Sequence, residues 1–311
     1  MTRARILIDC DPGHDDALAL LLADHLADVV GVTTVSGNAP LPEVTRNAQS
    51  LSQLMVSRPP VYAGASRALA DGSAEGRHAT HVHGVSGMDG VDLPPAGAAA
   101  AGGAVDFLLA SSREEQGLWL VAIGPLTNVA LAIQQDAEFV SRLAGISIMG
   151  GSTKGGNVTA AAEFNIWADP EAADVVFRSG AEIRLCGLNL THQLKTSDLV
   201  LAGIHALAGD RARLAAQILT YLHSRMQELT GEAAAALHDP CAVLAVTHPE
   251  LFEFVSRPVA VALDDPLTRG MTVVDERYSG RNGPHQVQVA YQIDVERAFN
   301  LLFAALAEAS G

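Results

Sequence analysis

Short apolar runs alternate along this chain with stretches of helical periodicity. Residues 5–9 read as a strand and 15–24 as a helix, with acidic side chains in its first turn where the helix dipole favours them. Residues 29–35 form a β-branched strand, 42–56 a helix and Val61–Ala63 a short strand. Strands follow at 118–123 and 146–149, a helix at 170–178 and a strand at 183–187. Further on, 212–230 and 233–246 carry a 3.6-residue period, 259–263 and 287–291 read as strands, and 295–307 as a closing helix. This β–α alternation predicts an α/β fold, a mostly parallel central sheet with helices on both faces, as a single domain over residues 1–311.

Ligands of such sheets bind beyond the carboxyl ends of the strands. Asp9 and Asp11 end the first strand, Ser36-Gly37-Asn38 the second, Gly124-Pro125-Leu126-Thr127-Asn128 the strand from 118, and Gly150-Gly151-Ser152 the strand from 146. Two long segments, 64–103 and 150–168, interrupt the alternation; the first holds His78, His81 and His83. Loops of that length commonly carry function.

Composition narrows the partners. The 311 residues are 49% hydrophobic and 18% charged, enough for a sizeable core, with 35 acidic against 20 basic residues and a net charge of −15. That field repels nucleic acid and anionic membrane, so neither is expected as a partner. No run of about 18 apolar residues occurs to span a bilayer. Ile6-Leu7-Ile8 is too short for a secretory core. Cys10, Cys186 and Cys241 are odd in number and widely spaced, which argues against disulfides and zinc. A cytoplasmic protein is the expectation.

The chemistry is concentrated in Asp9-Cys10-Asp11-Pro12-Gly13-His14-Asp15-Asp16, four aspartates within eight residues. Carboxylates this close repel unless a cation or dedicated donors hold them. Hard oxygen ligands suit Ca²⁺ or Mg²⁺. Calcium takes six to eight oxygens, so a distant carboxylate and a backbone carbonyl are needed, with Asp239 and the Thr127 region as candidates. Haloacid-dehalogenase-like hydrolases also open with Asp-x-Asp, but here Pro12-Gly13 and a second acidic pair stand where they keep an open loop. An inert helix start accounts for one or two acids, not four.

Asp9-x-Asp11-Pro12-Gly13-x-Asp15-Asp16-Ala17 resembles the signature of the inosine–uridine-preferring nucleoside hydrolase family. Thr33-Thr34-Val35-x-Gly37-Asn38, His81-x-His83-Gly84, Gly124-Pro125-Leu126-Thr127-Asn128, Ala162-Glu163-Phe164-Asn165, Leu190-Thr191-His192 and His238-Asp239-Pro240 follow in family order. The resemblance covers nearly the whole chain. It implies a Rossmann-like fold and hydrolysis of the N-glycosidic bond of ribonucleosides to ribose and free base. It implies Ca²⁺ held by Asp11, Asp16, Asp239 and the Thr127 carbonyl, with a calcium-held water activated by an aspartate. It also implies a homodimer or homotetramer and a role in nucleoside salvage.

On that reading Asp11 accepts the water's proton, although sequence does not rank it above Asp15. Asp15, Asn38, Asn157, Glu163 and Asn165 are the expected sugar contacts, and Glu163 and Asn165 share a face if that segment is extended. His238, whose side chain titrates near neutrality, is the expected acid for the departing base. Of His81 and His83, one touches the base while the other fixes the loop; His81 is the substrate-binding choice. Phe164 and Met149 are pocket-lining candidates, and His192 and Trp167 are expected in the core or behind the site. Relatives with this His-Asp-Pro block carry tyrosines on the preceding helix, where this chain has only Tyr221, so the preferred base stays open. The alternatives are hydrolysis of another N-riboside on the same scaffold and nucleoside binding without turnover.

Overall fold

Strand β1 (Arg5–Cys10) is buried from Ile6 onward and divides its side chains between two cores. Ile6, Ile8 and Cys10 pack into one; Leu7, pointing the other way, packs into the second. The computed structural model describes residues 3–70, 77–277, 283 and 285–307.

Beside β1 lie β2 (Asp28–Thr34), β3 (Val61–Ala63), β4 (Leu118–Ala122), β5 (Leu143–Met149) and β6 (Ile183–Cys186), followed in the chain by β7 (Phe252–Val261), β8 (Thr272–Val274) and β9 (Gln286–Ile293). Their order in the nine-stranded sheet is β3-β2-β1-β4-β5-β6-β9-β7-β8. Pairing is parallel from β3 through β9, and β7 is antiparallel to both β9 and β8. The helices His14–Leu26, Asp210–Thr230, Asp239–Thr247 and Val295–Leu306 cover one face; Ala104–Glu114, Thr127–Gln135 and Pro170–Phe177 cover the other. This is the expected single α/β domain with a mostly parallel, Rossmann-like sheet.

Parallel strands buried on both faces read as continuous apolar runs, which is why their positions follow from sequence. Departures cluster at the edges. The helix expected over 233–246 begins only at Asp239, because Pro240 lacks an N–H and suits the first turn rather than a helix interior. Residues 235–237 instead zip onto residues 194–196: Leu237 N–H donates to the Leu194 carbonyl and Thr196 N–H to the Ala235 carbonyl. Strand β7 starts seven residues before the expected 259, its first half being only partly buried and lacking clean alternation. The long 150–168 segment contains a short helix, Phe164–Ala168. Part of the other long segment, 71–76, lies outside the described residues.

At their carboxyl ends β1, β2, β4 and β5 deliver residues 11–13, 35–40, 123–126 and 150–163 to one side of the sheet. Across their common edge sits the start of the helix Asp239–Thr247, which packs against the helix His14–Leu26.

Candidate active site

Asp16 opens the site from its own helix. Its carboxylate accepts the Gly13 N–H at 2.9 Å and the Asp11 N–H at 3.2 Å, capping the turn that Pro12-Gly13 makes after β1. Asn38, arriving from β2, ties the turn together. Its backbone N–H meets Asp11 Oδ2 at 2.6 Å, and its amide donates to the Asp11 carbonyl and to Asp16 Oδ2, both at 3.0 Å. The Asp11 carboxyl is wedged between two glycines. A Cβ on Gly37 would lie 2.0 Å from Asp11 Oδ2, and one on Gly124 would lie 2.7 Å from Oδ1. Asp11 Oδ1 is buried and has no hydrogen-bond partner among the described residues.

Carboxylate oxygens of Asp15, Asp16 and Asp239 lie within 4.8 Å of one another. Burial, and then the Asp15 charge, push Asp16 up to about 7. Burial followed by Asp15, Asp16 and Asp11 raises Asp239 well above the carboxylate range; burial and Asp16 do the same to Asp11, against the Asn38 N–H. The shifts share two causes, burial out of water and the charge of neighbouring carboxylates. Together with the partnerless Asp11 oxygen and an all-oxygen donor set, this fits a hard divalent cation. Thr127 opens the helix that follows β4, its hydroxyl donating to Asp169 Oδ2 at 2.7 Å.

Beneath the cluster Asp9 is part of the framework. Its Oδ1 accepts from Thr33 Oγ1 at 2.5 Å and from Asn128 Nδ2 at 2.7 Å, and Asn128 also donates to the Thr34 carbonyl. Burial outweighs those two bonds and lifts its carboxyl to about 7.

A cavity of about 740 Å³ opens onto the acids. Asp15, Asn38, His81, Asn157, Glu163, Asn165, His238 and Asp239 all line it, whereas Asp11, Asp16 and Thr127 are buried and are not among the lining residues. Glu163 caps the helix Phe164–Ala168, accepting N–H bonds from Asn165, Ile166 and Gly151 at 2.8–3.2 Å; burial nonetheless raises it to about 7. The segment is thus a capped helix start and not the extended chain expected, because the Glu163 carboxylate satisfies its free amides. Asn165 is aimed by two carbonyls, Ile123 at 2.9 Å and Met149 at 3.1 Å, and Asn157 Oδ1 accepts the Phe164 N–H at 3.0 Å.

His238 sits at the N-cap of the helix Asp239–Thr247. Its backbone N–H donates to Asp15 Oδ2 at 3.2 Å and its Nδ1 lies 2.8 Å from Thr191 Oγ1. Burial pushes its imidazole below the ordinary range, while the Asp15 charge pulls it back up.

A family model described as inosine-uridine preferring nucleoside hydrolase matches residues 6–300. The chain belongs to that family. It is 40% identical over 308 residues to the pyrimidine-specific ribonucleoside hydrolase RihA of Shewanella sp. (strain ANA-3), spanning 97% of this chain and 96% of the relative. It is 36% identical to the inosine-uridine preferring nucleoside hydrolase of Leishmania major, covering 97% of each. Among solved structures, a plant nucleoside hydrolase, PpNRh1, superposes with a TM-score of 0.90 at 32% identity, covering 98% of this chain and 99% of that one.

Within this member of the nucleoside hydrolase family His81 and His83 stand in different surroundings. His81 is exposed at the cavity, with its carbonyl accepting from Arg225 Nε at 2.6 Å. His83 also lines the cavity but is buried, with its Nδ1 3.1 Å from His14 Nδ1. Burial, and then His238, lower it to about 3. His192, expected in the core or behind the site, lines the cavity too, its ring centroid 5.7 Å from that of His238. Tyr221 does not line the cavity; it stacks on His14 at 4.4 Å. The helix Asp210–Thr230 offers Leu222, Met226 and Leu229 there instead, ordinary core residues in a one-dimensional reading. Phe164 and Met149 are lining residues as expected.

Proposed function

We propose that the protein hydrolyses the N-glycosidic bond of ribonucleosides, releasing ribose and a free base, as one domain spanning residues 1–311. One observation carries the reading: a single cavity joins the acidic cluster, the amides and Glu163 suited to sugar hydroxyls, and a histidine suited to the leaving base. The family supports the same reaction.

Cleavage passes through an oxocarbenium-like sugar, so the residues must activate water, grip the ribose and assist the base. Asp11, Asp16, Asp239 and the Thr127 carbonyl would hold Ca²⁺, with Asp15 close enough to share the ion or a ribose hydroxyl. When bound, that ion acidifies a water and orients the sugar hydroxyls. Asp11 is the base that takes the proton of the attacking water. Asp15, Asn38, Asn157, Glu163 and Asn165 grip the ribose, and His81 meets the base. His238 gives its proton to the base nitrogen as the C1′–N electron pair withdraws onto it, while the water oxygen bonds to C1′. Attack by one water from the far face inverts the anomeric carbon; proton NMR of the first-formed ribose reads this directly, and retention contradicts it.

The test of the function is reducing-sugar release from a panel of purine and pyrimidine nucleosides with calcium present. Release from at least one nucleoside is expected. Binding without release would leave the non-catalytic alternative. The panel needs both base classes because the named relatives differ in theirs.

We further infer a homodimer or homotetramer, which light scattering measures, and cytoplasmic nucleoside salvage. The three buried, free cysteines suit a reducing compartment. Among the described residues no helix is long and apolar enough to cross a membrane.

A further inference from the structure

A proton donor for the departing base must present one ring nitrogen at one angle, and a histidine held only through its backbone does neither. We propose that Thr191 is a positioning residue that holds the His238 ring through Nδ1, so that Nε2 meets the leaving nitrogen. The inference rests on the reading of His238 as the proton donor.

Thr191 is fully buried, and its hydroxyl oxygen lies 2.8 Å from His238 Nδ1. Its backbone is firmly placed. The Thr191 N–H donates to the Gly187 carbonyl at 3.0 Å, and the Leu188 N–H of the same short helix donates to the Gly151 carbonyl at 2.9 Å. Gly151 in turn donates to Glu163, so the hydroxyl is referenced to the ribose side of the cavity. The ring of His238 is bounded further by His192, edge-on at 64°. His238 Nε2 has no hydrogen-bond partner among the described residues, in a ring that lines the cavity.

A hydroxyl both donates and accepts. It accepts from Nδ1–H when the ring carries two protons and donates to Nδ1 when that nitrogen is bare. In either state the position left for exchange with substrate is Nε2. To act as the donor the ring needs a proton on each nitrogen. The Nε2 proton passes to the base nitrogen as the C1′–N bond breaks, and the ring leaves neutral with Nδ1–H still on the Thr191 oxygen.

Thr191→Val keeps the shape and deletes the hydroxyl; Thr191→Ser keeps the hydroxyl. Both are assayed in the calcium-loaded protein on inosine, uridine and p-nitrophenyl riboside, whose phenolate departs without a proton. Thr191→Val is expected to lower kcat on the nucleosides about tenfold or more, with KM within about twofold and the p-nitrophenyl riboside rate unchanged, since orientation of the acid is what is lost. Thr191→Ser is expected to restore the nucleoside rates. Wild-type rates in Thr191→Val, an equal loss on the p-nitrophenyl substrate, or failure of serine to rescue would each overturn the inference. Thr191→Ala makes the same comparison if the valine variant does not fold. A wild-type protein that releases ribose from no nucleoside overturns the functional reading itself; an active wild type with an indifferent Thr191→Val overturns this inference alone.

Discussion

Asp11 is tightly held in the site, one carboxylate oxygen bound to the Asn38 backbone N–H and the other buried against Gly124 with no hydrogen-bond partner among the described residues. Asp11→Asn keeps the volume and removes the proposed base, so kcat should fall about 10²–10⁴-fold while the circular dichroism spectrum is retained. Near-normal turnover in that variant removes Asp11 from the assigned role. His238→Ala should cost more on nucleosides with poor leaving bases than on those with good ones, a contrast that initial rates across the panel measure. Gly37→Ala probes the same carboxylate from behind. Its new methyl group must displace Asp11 Oδ2, which lies only 2.0 Å from where a Cβ would sit, or Pro125, at 2.8 Å. Catalysis is therefore expected to drop at least about tenfold in a folded protein, because misplacing a reacting group by an ångström costs that much or more.

Among the elements, the helices His14–Leu26 and Asp210–Thr230 are pinned by Asp24, which takes N–H bonds from Val56 and Ser57 and pairs with Arg211. Burial works to raise Asp24, but the Ser57 and Val56 bonds and the Arg211 guanidinium overcome it and hold the carboxyl below its usual value. A depressed folded-state pKa contributes stability above the unfolded value and loses it as pH falls through the folded one. Asp24→Asn should therefore cost about 3–5 kcal/mol near neutrality and progressively less in acid; urea titrations at several pH values give that slope. A cost independent of pH would mean the charge contributes nothing. Elements such as this first helix were legible in the sequence because their apolar runs lie between capping and turn residues. So was the Asp9–Asp16 cluster, whose charge density needs an explanation at any register. The start of β7 was not, since β8 pairs only with its last residues, Val259–Val261, and a first half open to solvent needs no alternation. Nor were Leu222 and Met226 as cavity walls, or Thr191 beside His238, because nothing local marks which face of a helix meets a pocket. His83 was visible only as one of a pair; which of the two is buried depends on His14, which lies 69 residues away in the chain.

Over the whole molecule, the acids form a binding site for an ion only when the chain is folded, so calcium should stabilise it by mass action. At about 100 times Kd the gain is about 2.7 kcal/mol, or roughly 5 °C in melting temperature for a chain of this size. Calorimetry with calcium and with a chelator tests this, and coincident transitions would argue against a resident ion. The acids also come from distant parts of the sequence: Asp11, Asp15 and Asp16 lie together, Asp239 far downstream, and the Asp15–His238 contact closes the gap across 223 residues. A premature stop codon upstream of Asp239 is therefore expected to yield no crippled enzyme with residual turnover, only an inert fragment. Conversely, two separately expressed pieces divided upstream of that downstream aspartate would be silent alone, and any sugar released on mixing them would count the pairs that had found each other.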